Sequence, residues 1–150
     1  MQKHFWQRGV TLIELIITIA LITLVMGVVI YALNPARQFS QGRNTKRWAH
    51  VNTILTAVYQ RIADNRGTWS TTCGAATVSL PSATTTIGTD VANTNLEPCL
   101  VPTYLPNLPL DPLIGTTAST SYRIIRYAAS GRIAVVAEAP ELEEVISVTR

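Results

Sequence analysis

Residues 10–33 form an apolar run that contains a single charge, the carboxylate of Glu14. As a helix rising ~1.5 Å per residue, the run is about 36 Å long, enough to cross a hydrocarbon core of about 30 Å. A run this long is a membrane span or a helix covered on all sides, not one face of a soluble domain. Placing a carboxylate inside it costs roughly 2.5–3.5 kcal/mol. A plain anchor gains nothing from that cost, so Glu14 calls for a specific partner.

The residues before the run are short, polar and basic: residues 1–9 carry Lys3, His4 and Arg8 and end in Gly9. A secretory signal peptide has an apolar core of only about 7–15 residues, followed by a small-residue cleavage site. Here the apolar stretch is too long, and the small residue in a boundary position, Gly9, precedes it. A cut after Gly9 would remove the leader, leave the helix in place and make Val10 the new N-terminus. Glu14 then lies one helical turn away, at i+4 spacing.

The stretch Arg8-Gly9-Val10-Thr11-Leu12-Ile13-Glu14-Leu15 resembles the N-terminus of type IV prepilins and type II secretion pseudopilins. That family has a short basic leader, a glycine, a cleavage point, an apolar first residue and a glutamate four residues on. The departure here is Val10, where phenylalanine is commonest. The resemblance covers about the first 30 residues. It implies that a prepilin peptidase cuts after Gly9 and N-methylates Val10. It also implies that Glu14 meets the Val10 amine of a neighbouring subunit, which gives the buried carboxylate a paired charge.

Past the helix, residues 34–150 suffice for one small domain with its own core. The formal net charge is +3, and loss of a leader holding Lys3 and Arg8 would lower it. A balance so close to neutral does not mark the whole chain as a nucleic-acid binder. Cys73 and Cys99 lie beyond the span, in a region that the inferred topology places outside the cytoplasm, where disulfides persist. An even count there favours a bridge, and closing a loop of this size is worth about 3.5 kcal/mol in the chain-entropy model. Such a bridge fastens the region between helix and sheet.

The expected class is α+β and, by the resemblance, type IV pilin-like: a long N-terminal helix, half membrane and half amphipathic, packed on a small antiparallel sheet of three or four strands. The divisions are a leader at 1–9, a membrane or filament-core helix at 10–33 and a globular head at 34–150. The head comprises an amphipathic helix at 35–66, a Ser/Thr-rich loop region at 67–121 and a sheet at 122–150. Asn34-Pro35 is consistent with an N-cap and first position of a second helix, or with a kink in one long helix. Trp48, Val51, Leu55, Val58 and Ile62 make one apolar stripe, with His50, Thr53, Ala57, Gln60 and Asp64 opposite. Asn65-Arg66-Gly67 should end the helix. A short strand is expected near residues 76–80. Pro102, Pro106, Pro109 and Pro112 keep the next stretch extended and irregular. Strands are expected at 122–128, 132–138 and 144–149, with a tight hairpin at Ser130-Gly131.

Catalytic patterns are missing. His50, the sole histidine past the leader, reads as solvent-exposed with no nucleophile elbow around it. Two cysteines are too few for a zinc site, and no phosphate-binding glycine loop occurs. Asp111-Pro112 reads as a plain turn; a calcium ion would need more oxygen ligands than are evident there. The chain therefore reads as no enzyme, with no cofactor, metal or nucleic acid. Arg37, Arg43, Lys46 and Arg47 form a basic collar beyond the span, against the positive-inside trend. The cleavage motif and the cysteines nevertheless place the head outside. The collar should be solvated or paired with acids such as Asp64 or those of residues 141–144 on neighbouring subunits.

The resemblance thus implies a structural filament subunit held by a single span in the inner membrane before assembly, and a periplasmic or cell-surface filament after it. The implied partners are other copies, the prepilin peptidase, an inner-membrane assembly platform and membrane lipid. A major pseudopilin of a type II secretion system is the alternative within the family; a membrane-anchored binding domain that never polymerises is the alternative outside it.

Overall fold

A computed structural model describes residues 9–150, so Lys3, His4 and Arg8 of the leader lie outside the described residues. The chain divides into two compact units, Met1–Gln38 and Phe39–Arg150.

In the first unit, helix α1 spans Leu12–Leu33. Thr11 is its N-cap: the backbone there is extended, and the hydroxyl accepts a hydrogen bond from the Glu14 N–H at 3.3 Å. This satisfies one of the amide donors that a helix start leaves open. Thr18 and Thr23 donate their hydroxyls to the carbonyls of Leu15 and Ala20, so the helix presents few free polar groups. None of its residues is buried, and its length and composition suffice to cross a membrane. Asn34, in the left-handed conformation at φ 43°, ends it. Asparagine tolerates that region better than most residues. Helix α2 (Pro35–Asp64) starts at the next residue. Its first position suits proline, because no N–H is needed there, and the Asn34 carbonyl accepts from Arg37 N–H at 3.1 Å. The Asn34-Pro35 pair is therefore a one-residue break between two helices.

In the second unit, α2 buries Val51, Ile54, Leu55, Ala57 and Val58, with Trp48 and Ile62 half-buried at the margins. Ala57 belongs to the core, not to the opposite face, because the buried stripe is wider than a strict heptad seam. His50 is half-buried too, edge-on to Tyr122 with Nδ1 2.9 Å from its hydroxyl. A solvent-exposed His50 is thereby corrected. Gly67, at φ 82°, closes the helix by donating its N–H to Ile62 O at 2.9 Å, a C-terminal glycine cap.

The region 67–121, expected as loop, holds more order than its composition suggests. Strands β1 (Thr72–Cys73) and β2 (Ala76–Thr77) pair antiparallel. Strand β3 (Thr85–Thr86) joins the main sheet, and α3 (Glu97–Leu100) makes one helical turn. The main sheet is β3-β4-β5-β6, all antiparallel, with β4 at Tyr122–Arg126, β5 at Ile133–Ala137 and β6 at Ser147–Thr149. Tyr122 pairs with Ala137 and Arg126 with Ile133. Tyr122, Ile124, Ile133 and Val135 form the sheet side of the core, together with Ile87, Leu96, Leu100 and Ile146. The β4–β5 connection is a six-residue loop and not a tight turn at Ser130-Gly131; Tyr127 N–H donates to Arg132 O across its base at 2.9 Å. The loops at Gly88 and Gly115 pack backbone against backbone: a Cβ on Gly88 would meet Ala118 O at 2.1 Å, and one on Gly115 would meet Asp111 N at 2.2 Å.

Candidate processing and assembly segment

Gly9 and Val10 precede α1 and have no regular structure. Val10 is 71% exposed, and nothing crowds the open side of Gly9. The Gly9–Val10 peptide therefore sits in accessible, non-helical backbone, the state a peptidase needs. The Thr11 cap starts the helix immediately after it. Glu14 falls in the first turn, where the partial positive charge of the helix N-terminus favours a carboxylate. Its side chain has no hydrogen-bond or ion-pair partner among the described residues.

Cys73 on β1 and Cys99 on α3 are joined by a disulfide with their Cα atoms 4.8 Å apart. The bridge ties the loop region to the C-terminal part of α2 through Arg61. That guanidinium donates to the carbonyls of Cys99, Ser70 and Thr72 at 3.2, 3.1 and 2.8 Å. It also lies over the Trp69 ring, 5.2 Å from the centroid.

The collar differs from its sequence reading. Arg47 is fully buried and forks onto Asp111, with Nε–Oδ2 at 2.6 Å and Nη2–Oδ1 at 3.1 Å. Its Nη1 donates to Asn44 Oδ1 at 2.9 Å and to Glu141 Oε2 at 2.8 Å. Arg43 holds Glu141 from the other side through Nε at 2.6 Å, and the Ser40 hydroxyl donates to the same carboxylate at 2.9 Å. Asn44 exchanges bonds with the Glu141 backbone: its Nδ2 donates to Glu141 O at 2.7 Å, and its Oδ1 accepts from Glu141 N at 3.0 Å. Arg43 and Arg47 thus find their acids within the chain, not on neighbours. The reason is that α2 carries them past the turn at Asp111 and the β5–β6 loop, proximities that sequence spacing does not encode.

Asp111 is the centre of that turn. Its Oδ1 also accepts from the N–H groups of Leu113 and Ile114 at 2.9 and 3.2 Å. Burial pushes the Asp111 carboxyl up, but the bonds from Arg47 and the two amides outweigh it and hold the group below its ordinary value. Hydrogen bonds from Arg43 and Arg47 hold Glu141 far below the usual carboxylate range. Burial lowers His50 from its ordinary value. Asp111 therefore neutralises a buried guanidinium with both oxygens.

Neither a curated protein nor a solved structure matches the chain. The family described as the prokaryotic N-terminal methylation motif matches residues 7–30, across Gly9, Val10, the Thr11 cap and most of α1. At its N-terminus the chain carries the prepilin and pseudopilin signature, followed by the α+β layout expected of such a subunit.

Proposed function

We propose that the protein is a structural subunit of a type IV pilus-like filament. A prepilin peptidase removes the leader after Gly9 and N-methylates Val10. The chain then waits in the inner membrane, with α1 in lipid and the head outside the cytoplasm. An assembly platform extracts it, and copies pack through α1. Glu14 pairs with the Val10 amine of a neighbour and sets the register. The observation that carries this reading is the methylation motif at residues 7–30 running into a helix whose apolar side chains are all uncovered. Such a helix requires lipid or other copies of itself, and a lone carboxylate in either setting requires a cation.

Mass spectrometry of the purified protein tests the processing: an N-methylated Val10 terminus is expected, and a retained Met1 would overturn it. The assembly role is tested by Glu14→Ala, which should leave membrane insertion intact and sharply reduce filaments; unchanged filament yield would remove that role from Glu14. The major pseudopilin of a type II secretion system is the second reading, supported by the Asp111-Pro112 turn ahead of the short strands from Tyr122, which resembles a turn near the start of the sheet in major pseudopilins. Abundant surface fibres on wild-type cells favour the pilus; periplasmic filaments and lost secretion on deletion favour the pseudopilus.

A further inference from the structure

The main sheet has a basic end and an acidic end. Strand β5 runs five residues from Ile133 to Ala137, about 17 Å at ~3.4 Å per residue. The β4–β5 loop lies at one end of it and the β5–β6 loop at the other. At the first end are Arg126, which pairs with Ile133, Arg132, which is bonded to Tyr127, and Arg150, whose backbone exchanges two bonds with Ile133. All three arginines are exposed, none makes a salt bridge among the described residues, and the β4–β5 loop contains no acid. Tyr127 stands exposed beside them.

At the opposite end, the β5–β6 loop is locked onto α2 through Glu141 and Glu144. Glu144 receives only neutral donors, Asn44 Nδ2 and Trp48 Nε1, each at 2.7 Å, so its charge is not cancelled. Glu143 has no partner among the described residues. Leu142 and Glu143 are successive non-glycine residues in the left-handed region, at φ 60° and 56°. That conformation is unfavourable and persists because the clamp on Glu141 and Glu144 enforces it. It leaves Leu142 and Val145 exposed beside the Glu143 carboxylate and the uncancelled charge of Glu144.

We infer that these two ends are complementary halves of a contact between heads. The acidic-apolar loop around Leu142 and Glu143 of one copy docks on the basic-aromatic end around Tyr127 and Arg132 of the next. The occupant is a second copy because the opposite charges and the matching exposed apolar groups lie on the same head. They lie at opposite ends of one strand, so the contact is head-to-tail and heterologous, the class of interface that builds an open filament when successive rotations do not close a ring. The inference rests on the reading of the chain as a self-assembling subunit.

Charge reversal in the full-length protein tests it. Arg132→Glu and Glu143→Arg should each cut filament yield about tenfold or more, because like charges face each other across the contact. N-methylated Val10 and the thermal stability of the protein should be unchanged. The double variant restores opposite charges and should return to within about twofold of wild type. A Tyr127→Cys, Leu142→Cys double variant should give a ladder of cross-linked multimers, and either single variant none. Single reversals that polymerise like wild type, a double reversal no better than the singles, or dimers from one cysteine variant alone would overturn the head-to-tail contact while wild-type filaments leave the subunit reading standing. A processed wild-type protein that forms no filaments would overturn both.

Discussion

Burying the Arg47 guanidinium costs several kcal/mol of hydration, which the fork to Asp111 and the bonds to Asn44 and Glu141 offset. Removing one partner should therefore be worse than removing both. Asp111→Ala leaves a buried, unpaired cation and should destabilise the head by about 3–5 kcal/mol, whereas Arg47→Met with Asp111→Leu should cost clearly less. Urea unfolding of the full chain in detergent, followed by Trp fluorescence, measures both. The pH dependence has a definite sign. His50 is lowered from 6.5, so its contribution is present above that value and lost as pH falls through the folded pKa. Asp111 and Glu141 are lowered from 3.8 and 4.5, so theirs is present above those values and lost as pH falls through the still lower folded ones. Stability should thus decline in two steps on acidification, and His50→Gln should abolish the first.

At the scale of elements, the loop region between α2 and β4 holds by backbone approach and by one covalent tie. Gly88 has no room for a side chain, since the Ala118 carbonyl occupies the place of a Cβ. Gly88→Ala should separate the two loops and lower stability by about 1–3 kcal/mol, read as a drop in Tm. The Cys73–Cys99 bridge closes a loop with a sequence separation of 26, and replacing both cysteines by serine should cost about 3.5 kcal/mol in the chain-entropy model. The break at Asn34 has a different character. Asn34 ends α1 in the left-handed region, and the Arg37 N–H in the first turn of α2 is bonded back to its carbonyl.

At the scale of the whole molecule, the two units differ in what stabilises them. The head has a closed core between α2 and the sheet. Helix α1 has no buried residue, so on the proposed function its stability comes from the lipid or the copies that cover it, and assembly would be linked to that burial by mass action. If the charged ends of the sheet meet as inferred, their contribution is a screened one, because exposed charges act over about 8 Å at physiological ionic strength. Filament formation in detergent-solubilised protein should slow as salt is raised from low to physiological levels, and Arg132→Glu should lose that response.

The N-terminal chemistry is legible in order along the chain because it is local. A basic stretch ending in Gly9, a carboxylate at Glu14 and an unbroken apolar helix all lie within one short stretch, whereas the Thr11 cap emerged only from the structure. Periodicity likewise marks the core stripe of α2 and the strands at β4, β5 and β6, since each pattern repeats over several neighbouring residues. The pairing of Arg47 with Asp111, the burial of His50 against Tyr122 and the recruitment of Thr85-Thr86 as a sheet edge were not legible. Those are contacts between residues distant in sequence, and two-residue strands carry no period. The sequence alone determined that the chain has a methylation motif and an apolar N-terminal helix with one carboxylate to satisfy. Only the tertiary structure decided that the collar arginines are internal fasteners and that the sheet ends carry opposite charge. Charge is a property of residues, but its location and its partners are properties of the packing.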